Sequence, residues 1–415
     1  MRHNKLTVLI SVLCLVSTFA SAQIDSSFYR SLVKEKTFPS RLDKITSSKA
    51  YQMTCVGVPL VVGGLILKPT DTQFRNLRNS YIPGFRNPYD DYLQYAPAAV
   101  MLGLKLGGVE SRSSWPRMLV SDAFSVGVMA LVVNVIKHSA SVTRPDDSND
   151  HSFPSGHTAT AFMAATMMHK EYGGRSPWYS IGAYTVATAT GLSRIANNKH
   201  WLSDVMVGAG IGILSTELGY FLADLIFKEK GITHFPVYEN RFDVDYRPSF
   251  AGVNLGLNFM LGAVNLPDGS EMKMSTGSSA GLEGAYFFTP NWGVGGRFSL
   301  AYSPLSVNGV EENNALNTLS GAVGAYYSYP VTSRILLGTK ALLGYAHYNK
   351  CTLSTMDIGA TGGMTFGTGI SVSFLLKHNL GMKIFGDYNL LPPVSRDLNK
   401  VQHLLVAGAS ANILF

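Results

Sequence analysis

At 415 residues the chain is long enough for a sizeable core and for about two or three domains. Charged residues make up only 15% of it against 46% apolar, with 41 glycines, a lean composition that suits a membrane-associated protein better than a cytosolic one. The net charge of +7 is scattered, with no Lys/Arg-rich block, so nucleic acid is not expected as a partner.

In chain order, the first 22 residues read as an export signal. Arg2, His3 and Lys5 form a basic start, residues 6–16 an apolar core, and Ala20-Ser21-Ala22 a small-residue cleavage pattern. Cys14 would leave with this segment; Val12-Leu13 before it lacks the small residue expected ahead of a lipidated cysteine. Cys55 and Cys351 fall in segments of different character, so no disulfide framework is expected. Residues 23–49 are polar and read as irregular or weakly helical.

Residues 50–227 follow a helical period in six apolar segments, near 50–67, 92–107, 116–137, 156–170, 178–194 and 200–227. A long loop over 70–92 carries Arg75, Arg78, Tyr81, Phe85, Arg86, Tyr89 and Tyr92. A membrane-crossing helix needs about 20 apolar residues, and only the first and third segments approach that. The third contains Asp122 and the sixth Asp204, Glu217 and Asp224, costly in lipid unless they face the bundle interior. Hydropathy leaves open whether the bundle spans a membrane or is compact and water-exposed.

After a linker over 228–245 the period changes to two, and residues 246–415 read as a second domain. Eight alternating segments lie near 247–263, 272–288, 291–303, 316–328, 334–348, 356–375, 380–390 and 401–415. Tight connections at 289–291, 330–332 and 377–379 alternate with longer polar links at 264–271, 304–315, 348–355 and 391–400. An even strand count, short turns at one end and longer loops at the other predict an eight-stranded outer-membrane β-barrel; the competing fold is a soluble β-sandwich. Leu405, Ala407, Ala409, Ala411, Ile413 and Phe415 share one face of the last strand. A barrel of this kind implies membrane lipid and the barrel-assembly machinery as partners.

Three motifs in the helical half bear on chemistry: Lys137-x6-Arg144-Pro145, Pro154-Ser155-Gly156-His157, and Ser193-Arg194-x5-His200-x3-Asp204. Antiparallel helices with short links bring all three to one end of the bundle. Lys137, Arg144 and Arg194 offer three cations suited to a phosphate. Ser155 and Gly156 open a helix whose free N–H groups and positive dipole end favour an anion. Asp204, four residues after His200 on a helix, can reach the imidazole and leave its other nitrogen free as nucleophile. His157 is then placed to donate a proton to a leaving oxygen. No Asp/Glu/His set has the spacing of a metal cage, so the expected reaction uses no metal and no cofactor.

These motifs resemble those of the type-2 phosphatidic acid phosphatase superfamily, which also contains bacterial non-specific acid phosphatases and vanadium haloperoxidases. The resemblance covers residues 50–227 and implies a helical phosphatase domain with a phosphohistidine intermediate on His200, supported by Asp204, and His157 as general acid. Lys137, Arg144, Ser155, Gly156 and Arg194 would hold the phosphate. Only eight residues separate Pro145 from Pro154, short for the family. The resemblance implies a lipid phosphate or diphosphate substrate such as phosphatidic acid, isoprenyl diphosphate or lipid A. A periplasmic acid phosphatase on soluble organic phosphates, a haloperoxidase needing vanadate, and a non-enzymatic barrel with an accessory helical domain are the competing readings. Six helices put both bundle ends opposite the motifs. An 18-residue linker spans about 60 Å fully extended, short for joining two membranes. The expected placement is therefore a periplasmic bundle resting on the outer membrane's inner leaflet, anchored by the barrel, with the inner membrane as the alternative.

Overall fold

Small residues along one long helix determine how closely the N-terminal half can pack. In the computed structural model, which describes residues 45, 48–233, 246–266, 269–353, 357–377, 380–395 and 400–415, this central element is α9 (Leu202–Phe227). It is wrapped by α2 (Gly57–Leu67), α6 (Trp115–Ala140) and α7 (Gly156–Tyr172), with α8 (Pro177–Ala196) against α7. A Cβ at Gly208 would come within 2.5 Å of the Ser155 carbonyl, so glycine there lets the N-terminus of α7 approach α9. The remaining helices are α1 (Lys49–Thr54), α3 (Asp71–Tyr81), α4 (Tyr89–Leu93) and α5 (Ala96–Leu106). The expected export signal, with Cys14, and most of the polar segment and linker lie outside the described residues.

Seven helices longer than ten residues, rather than six, build this half among the described residues. The difference lies in residues 70–92, expected as loop. Phe74, Leu77 and Tyr81 are spaced three and four apart, a helical stripe that the surrounding polar residues obscured, and they bury against Leu202 and Ile195. The acidic residues of the long helices face inward. Glu217 takes Lys170 at 2.5 Å, Asp224 takes Arg117 at 2.5 Å, and the Tyr220 hydroxyl lies between Asp122 and Glu171, 3.2 and 3.0 Å away. Facing inward avoids the lipid-exposure cost set out for these acids.

The C-terminal half is a closed eight-stranded antiparallel barrel. Its strands are β1 (Phe250–Leu261), β2 (Gly277–Phe287), β3 (Trp292–Val307), β4 (Val310–Thr332), β5 (Ile335–Tyr348), β6 (Thr361–Lys377), β7 (Leu380–Leu391) and β8 (Gln402–Leu414). Each pairs with the next, and β1 pairs with β8 from Phe250↔Leu414 to Leu261↔His403, which closes the barrel, while Ala263–Asn265 and Glu271–Met274 add two short strands beside the end of β3. The link expected over 304–315 is instead strand: β3 and β4 continue to a two-residue turn in which Asn308 and Gly309 both have positive φ (50° and 82°). Asn-Gly is the turn pair that adopts this geometry at least cost.

The barrel is inside out relative to a soluble one. Arg297, Lys340, Lys383, Glu283 and Asp387 point inward and pair with one another, with Lys340–Glu283 at 3.0 Å and Lys383–Glu283 at 3.1 Å. Large apolar side chains point outward and are exposed, among them Val323, Leu343, Ile370 and Ile384. An inward-facing charged network inside an apolar outer wall is the arrangement of a membrane barrel and not of a sandwich core; Leu305, Leu316, Tyr348, Leu391 and Leu404 form a buried apolar cluster at the loop-side end. Leu405, Ala407, Ala409, Ala411 and Ile413 do share the outward face. Cys55 and Cys351 are buried in different halves and form no disulfide.

Candidate functional site

Asp204 is fully buried in the first turn of α9. Its Oδ2 accepts from the Trp201 N–H at 2.9 Å and from the Ser152 hydroxyl at 2.5 Å, which fixes the carboxylate's orientation. The same oxygen lies 3.4 Å from His200 Nδ1. These contacts assign the proton to Nδ1 and leave Nε2 without it. Burial outweighs the Asp204 charge and pulls His200 down to a pKa of about 4, with Arg194 and Lys137 adding to the decrease. The imidazole is therefore neutral at neutral pH.

The cations gather around this pair from three elements. Lys137 lies in the last turn of α6, Arg144 in the connection to α7 and Arg194 in the last turn of α8. Lys137, Arg144 and Arg194 are close enough to act on one another electrostatically. Burial and the neighbouring Arg194 push Arg144 below its ordinary value. Arg144 Nε and Arg194 Nε are buried with no hydrogen-bond partner. A buried N–H left unmade is costly, and an anion between these arginines would satisfy both.

Ser155 caps α7 in extended conformation, its Oγ accepting from the Thr158 N–H at 3.4 Å, while the Ser155 N–H donates to the Asp204 carbonyl at 3.0 Å. That bond ties the α7 N-terminus to α9. A Cβ added at Gly156 would meet the Lys137 side chain at 3.8 Å, so cation and helix end adjoin. All eight residues singled out in the sequence, Lys137, Arg144, Ser155, Gly156, His157, Arg194, His200 and Asp204, lie at one end of the bundle.

Three contributors were not singled out. Ser152 bridges Asp204 and His200; it opens the same SFPSGH stretch, and its position beside the motif was the available signal. Asp90 and Asp91 on α4 had none, since adjacent acids in an expected loop read as solvated. Asp90 Oδ2 accepts from Arg194 at 2.9 Å and from the Asn197 amide at 3.2 Å. Asp91 Oδ1 sits 2.9 Å from His157 Nε2 and 3.3 Å from Arg194. Around the rim, Lys199–Asp146 at 2.6 Å and Trp201 Nε1–Thr143 O at 2.8 Å pin the connection that carries Arg144.

Residues 119–224, from α6 into α9, match the family model of the PAP2 superfamily. They form a PAP2 superfamily domain. Every one of the eight residues lies inside the match. Over 173 residues the chain is 48% identical to the lipid A 1-phosphatase of Porphyromonas gingivalis, a match covering 41% of this chain and 39% of that protein. The chain thus spans well under half the length of this relative. Among solved structures, similarity extends to a transmembrane PAP2-type phosphatidylglycerolphosphate phosphatase from Bacillus subtilis (20% identity, 42% of this chain, 97% of that one, TM-score 0.32). It extends also to Neisserial surface protein A (14% identity, 40% and 97%, TM-score 0.28).

Proposed function

We propose that the PAP2 domain is a phosphatase that hydrolyses a lipid phosphate or lipid diphosphate through a phosphohistidine on His200, and that the barrel holds it in an outer membrane. One observation carries the reading: a buried, neutral imidazole, oriented by Asp204 and Ser152, beside two arginines with unpartnered buried N–H groups. The 48% identity with a lipid A 1-phosphatase over 173 residues supports the lipid class of substrate.

In the proposed reaction Lys137, Arg144, Arg194 and the N–H groups at the start of α7 hold the phosphate oxygens. Nε2 of His200 attacks phosphorus, forming the N–P bond as the bond to the leaving oxygen breaks. As Nε2 becomes substituted the ring turns cationic, and Asp204 stabilises that charge through Nδ1–H. His157 gives its proton to the leaving oxygen. It then takes one from the water that attacks phosphorus, which breaks the N–P bond, restores His200 and releases inorganic phosphate. The step as written uses only these side chains and water.

The test is phosphate release from phosphatidic acid, an isoprenyl diphosphate, lipid A and a soluble phosphomonoester, with the unaltered chain and His200→Ala in parallel. The reading expects release from at least one lipid, lost in the variant, and an acid-labile, alkali-stable phosphoenzyme after a quench with radiolabelled substrate. Equal release by the variant would sink the mechanism. Release from the soluble ester alone would sink the lipid assignment.

A further inference from the structure

The helical half, like the barrel wall, exposes large apolar side chains. Val58 and Val62 on α2, and Leu119, Val126, Leu131 and Val135 on α6, are exposed large aliphatics. α6 has a mean hydropathy of 2.0 over its most apolar window and is mostly unburied, unlike α9, which is long and apolar because it is the bundle core. Its 26 residues span about 39 Å, enough to cross a hydrocarbon core of about 30 Å. Exposed aromatics ring the two ends of this belt. Tyr89, Tyr92 and Tyr95 lie at the site end, Tyr92 being 79% exposed. Trp115 and Trp178, at the N-terminal ends of α6 and α8, lie at the opposite end. Aromatic girdles flanking an apolar band are the mark of a bilayer-spanning body. A bundle in water would instead leave about half of each of these side chains exposed, at a cost of about 1 kcal/mol each relative to burial.

The two halves are also joined side by side. Phe74, Leu77 and Tyr81 of α3 pack on the outward residues Leu255, Leu257, Ala280, Leu300 and Tyr302 of β1–β3. The Tyr81 hydroxyl lies 3.1 Å from Ala301 O and 2.8 Å from Thr318 O, a cross-strand pair of β3 and β4. The Ser278 hydroxyl donates to Gln73 O at 3.0 Å. Ala301 and Ser278 belong to the half of the barrel nearer the longer loops. α3 in turn is fastened to the catalytic end of the bundle. Asp71 accepts from Ser203 N–H at 2.9 Å and Arg78 donates to Ala196 O at 2.7–2.8 Å. At the opposite end, Arg334 in the short β4–β5 turn lies within electrostatic range of Tyr51 on α1. Bundle and barrel are therefore upright in the same sense, with the site level with the loop half and both bundle ends level with the short turns.

We propose that the helical domain is embedded in the same bilayer as the barrel, docked on its β1–β4 wall through α3, with its site opening at the loop-side leaflet. In an outer membrane the short turns face the periplasm and the longer loops face outward. The site then takes the phosphate of a lipid in the outer leaflet. This replaces the expectation of a bundle resting on the inner leaflet, since that placement leaves the apolar belt in water. The substrate clause rests on the phosphatase reading; the placement does not.

Cysteines introduced singly at Asp150, Leu131 and Glu229 test it, with the full chain in intact cells and a membrane-impermeant maleimide. Asp150 lies in the exposed connection beside the site, Leu131 in the middle of the apolar face of α6, and Glu229 at the far end. The unaltered chain, labelled in parallel, sets the background from Cys55 and Cys351. The proposal expects Asp150→Cys to label in intact cells and Glu229→Cys only after the outer membrane is permeabilised. Leu131→Cys should label in neither state, and only after detergent unfolding. Labelling of Asp150→Cys only after permeabilisation, or of Leu131→Cys on permeabilisation alone, overturns it. Because the readout is labelling, it stands apart from catalysis: His200→Ala added to each variant should leave the pattern unchanged even where phosphate release is lost. Heat-modified migration of the barrel on gels identifies any variant that fails to fold, and Asn149→Cys then replaces Asp150→Cys.

Discussion

The two halves bury charge in opposite ways. Inside the barrel, Arg297 meets Asp387, Lys340 meets both Glu283 and Asp387, and Lys383 meets Glu283, so every one of these cations has a carboxylate in contact. At the end of the bundle, Lys137 and Arg144 have no carboxylate in ion-pair contact among the described residues, and Arg144 and Arg194 each keep a buried N–H unpartnered. In the barrel network every cation is matched by a carboxylate, with only Asp387 Oδ1 left unpartnered. The bundle cluster is left open, and a ligand phosphate would complete it. Buried charge alone is therefore no mark of a site; the proposed phosphate site rests on cations left without a carboxylate near His200.

His200→Ala should produce the largest effect on that contrast. Loss of a nucleophile from a set that acts as a unit lowers turnover by about 10⁴- to 10⁶-fold, read as phosphate release per folded molecule, while the barrel keeps its heat-modified migration. Asp387→Asn should do the reverse. It leaves Arg297 and Lys340 facing each other with one carboxylate fewer, and breaking a buried pair costs about 3–5 kcal/mol. Denaturant titration in micelles should show that loss, with phosphate release per folded molecule unchanged. A barrel variant that altered turnover as strongly as the histidine variant would remove the distinction between the halves.

Arg144→Ala comes next, at about 10²- to 10³-fold in kcat/KM for a lost donor to a developing anion. Arg144→Lys should recover little, because a point charge does not replace the guanidinium fork. The pH profile sharpens the same comparison. A neutral His200 is required for attack, and its pKa lies at about 4, below the ordinary value. Protonation, and the loss of activity it brings, should therefore fall near pH 4 instead of 6.5. An acid limb in kcat/KM that tracked an ordinary histidine would show that Nε2 opens to solvent more than the buried geometry allows.

The barrel was legible as a period of two, but its hairpin arm was not. Residues 304–315 carry Pro304, Ser306, Asn308, Glu311, Glu312, Asn313 and Asn314 around only two buried apolar side chains, Leu305 and Val307, so their polarity masks the strand. The Asn308-Gly309 pair was the local signal that should have outweighed it. The site was legible where its residues fall at helix ends, since parity alone brings Lys137, His157, Arg194 and His200 together. Asp90 and Asp91 were not, because their partners Arg194 and His157 are more than 60 residues away in sequence and α4 is too short to show a period. The docking of α3 on the barrel was equally invisible: an apolar residue that faces lipid and one that faces another domain look the same in the sequence.

The smallest expected effect concerns Asp91. Its Oδ1 touches His157 Nε2 and Arg194, two groups that the proposed reaction aims at the phosphate. Before substrate binds, this carboxylate occupies part of the anion's place in the electrostatics of the site, and binding has to displace it. Once displaced, the same carboxylate remains near enough to orient the imidazole for proton donation. Asp91→Asn separates these roles. Asp91 is more than half exposed, so the contact is screened and worth about 1 kcal/mol at most, which corresponds to about a fivefold change. KM should fall by about that factor as the competing charge is removed, and kcat should fall as well, because the amide orients His157 less well. A drop in kcat with KM unchanged would assign Asp91 to positioning alone. A drop in KM with kcat unchanged would make it a stand-in for the phosphate and nothing more.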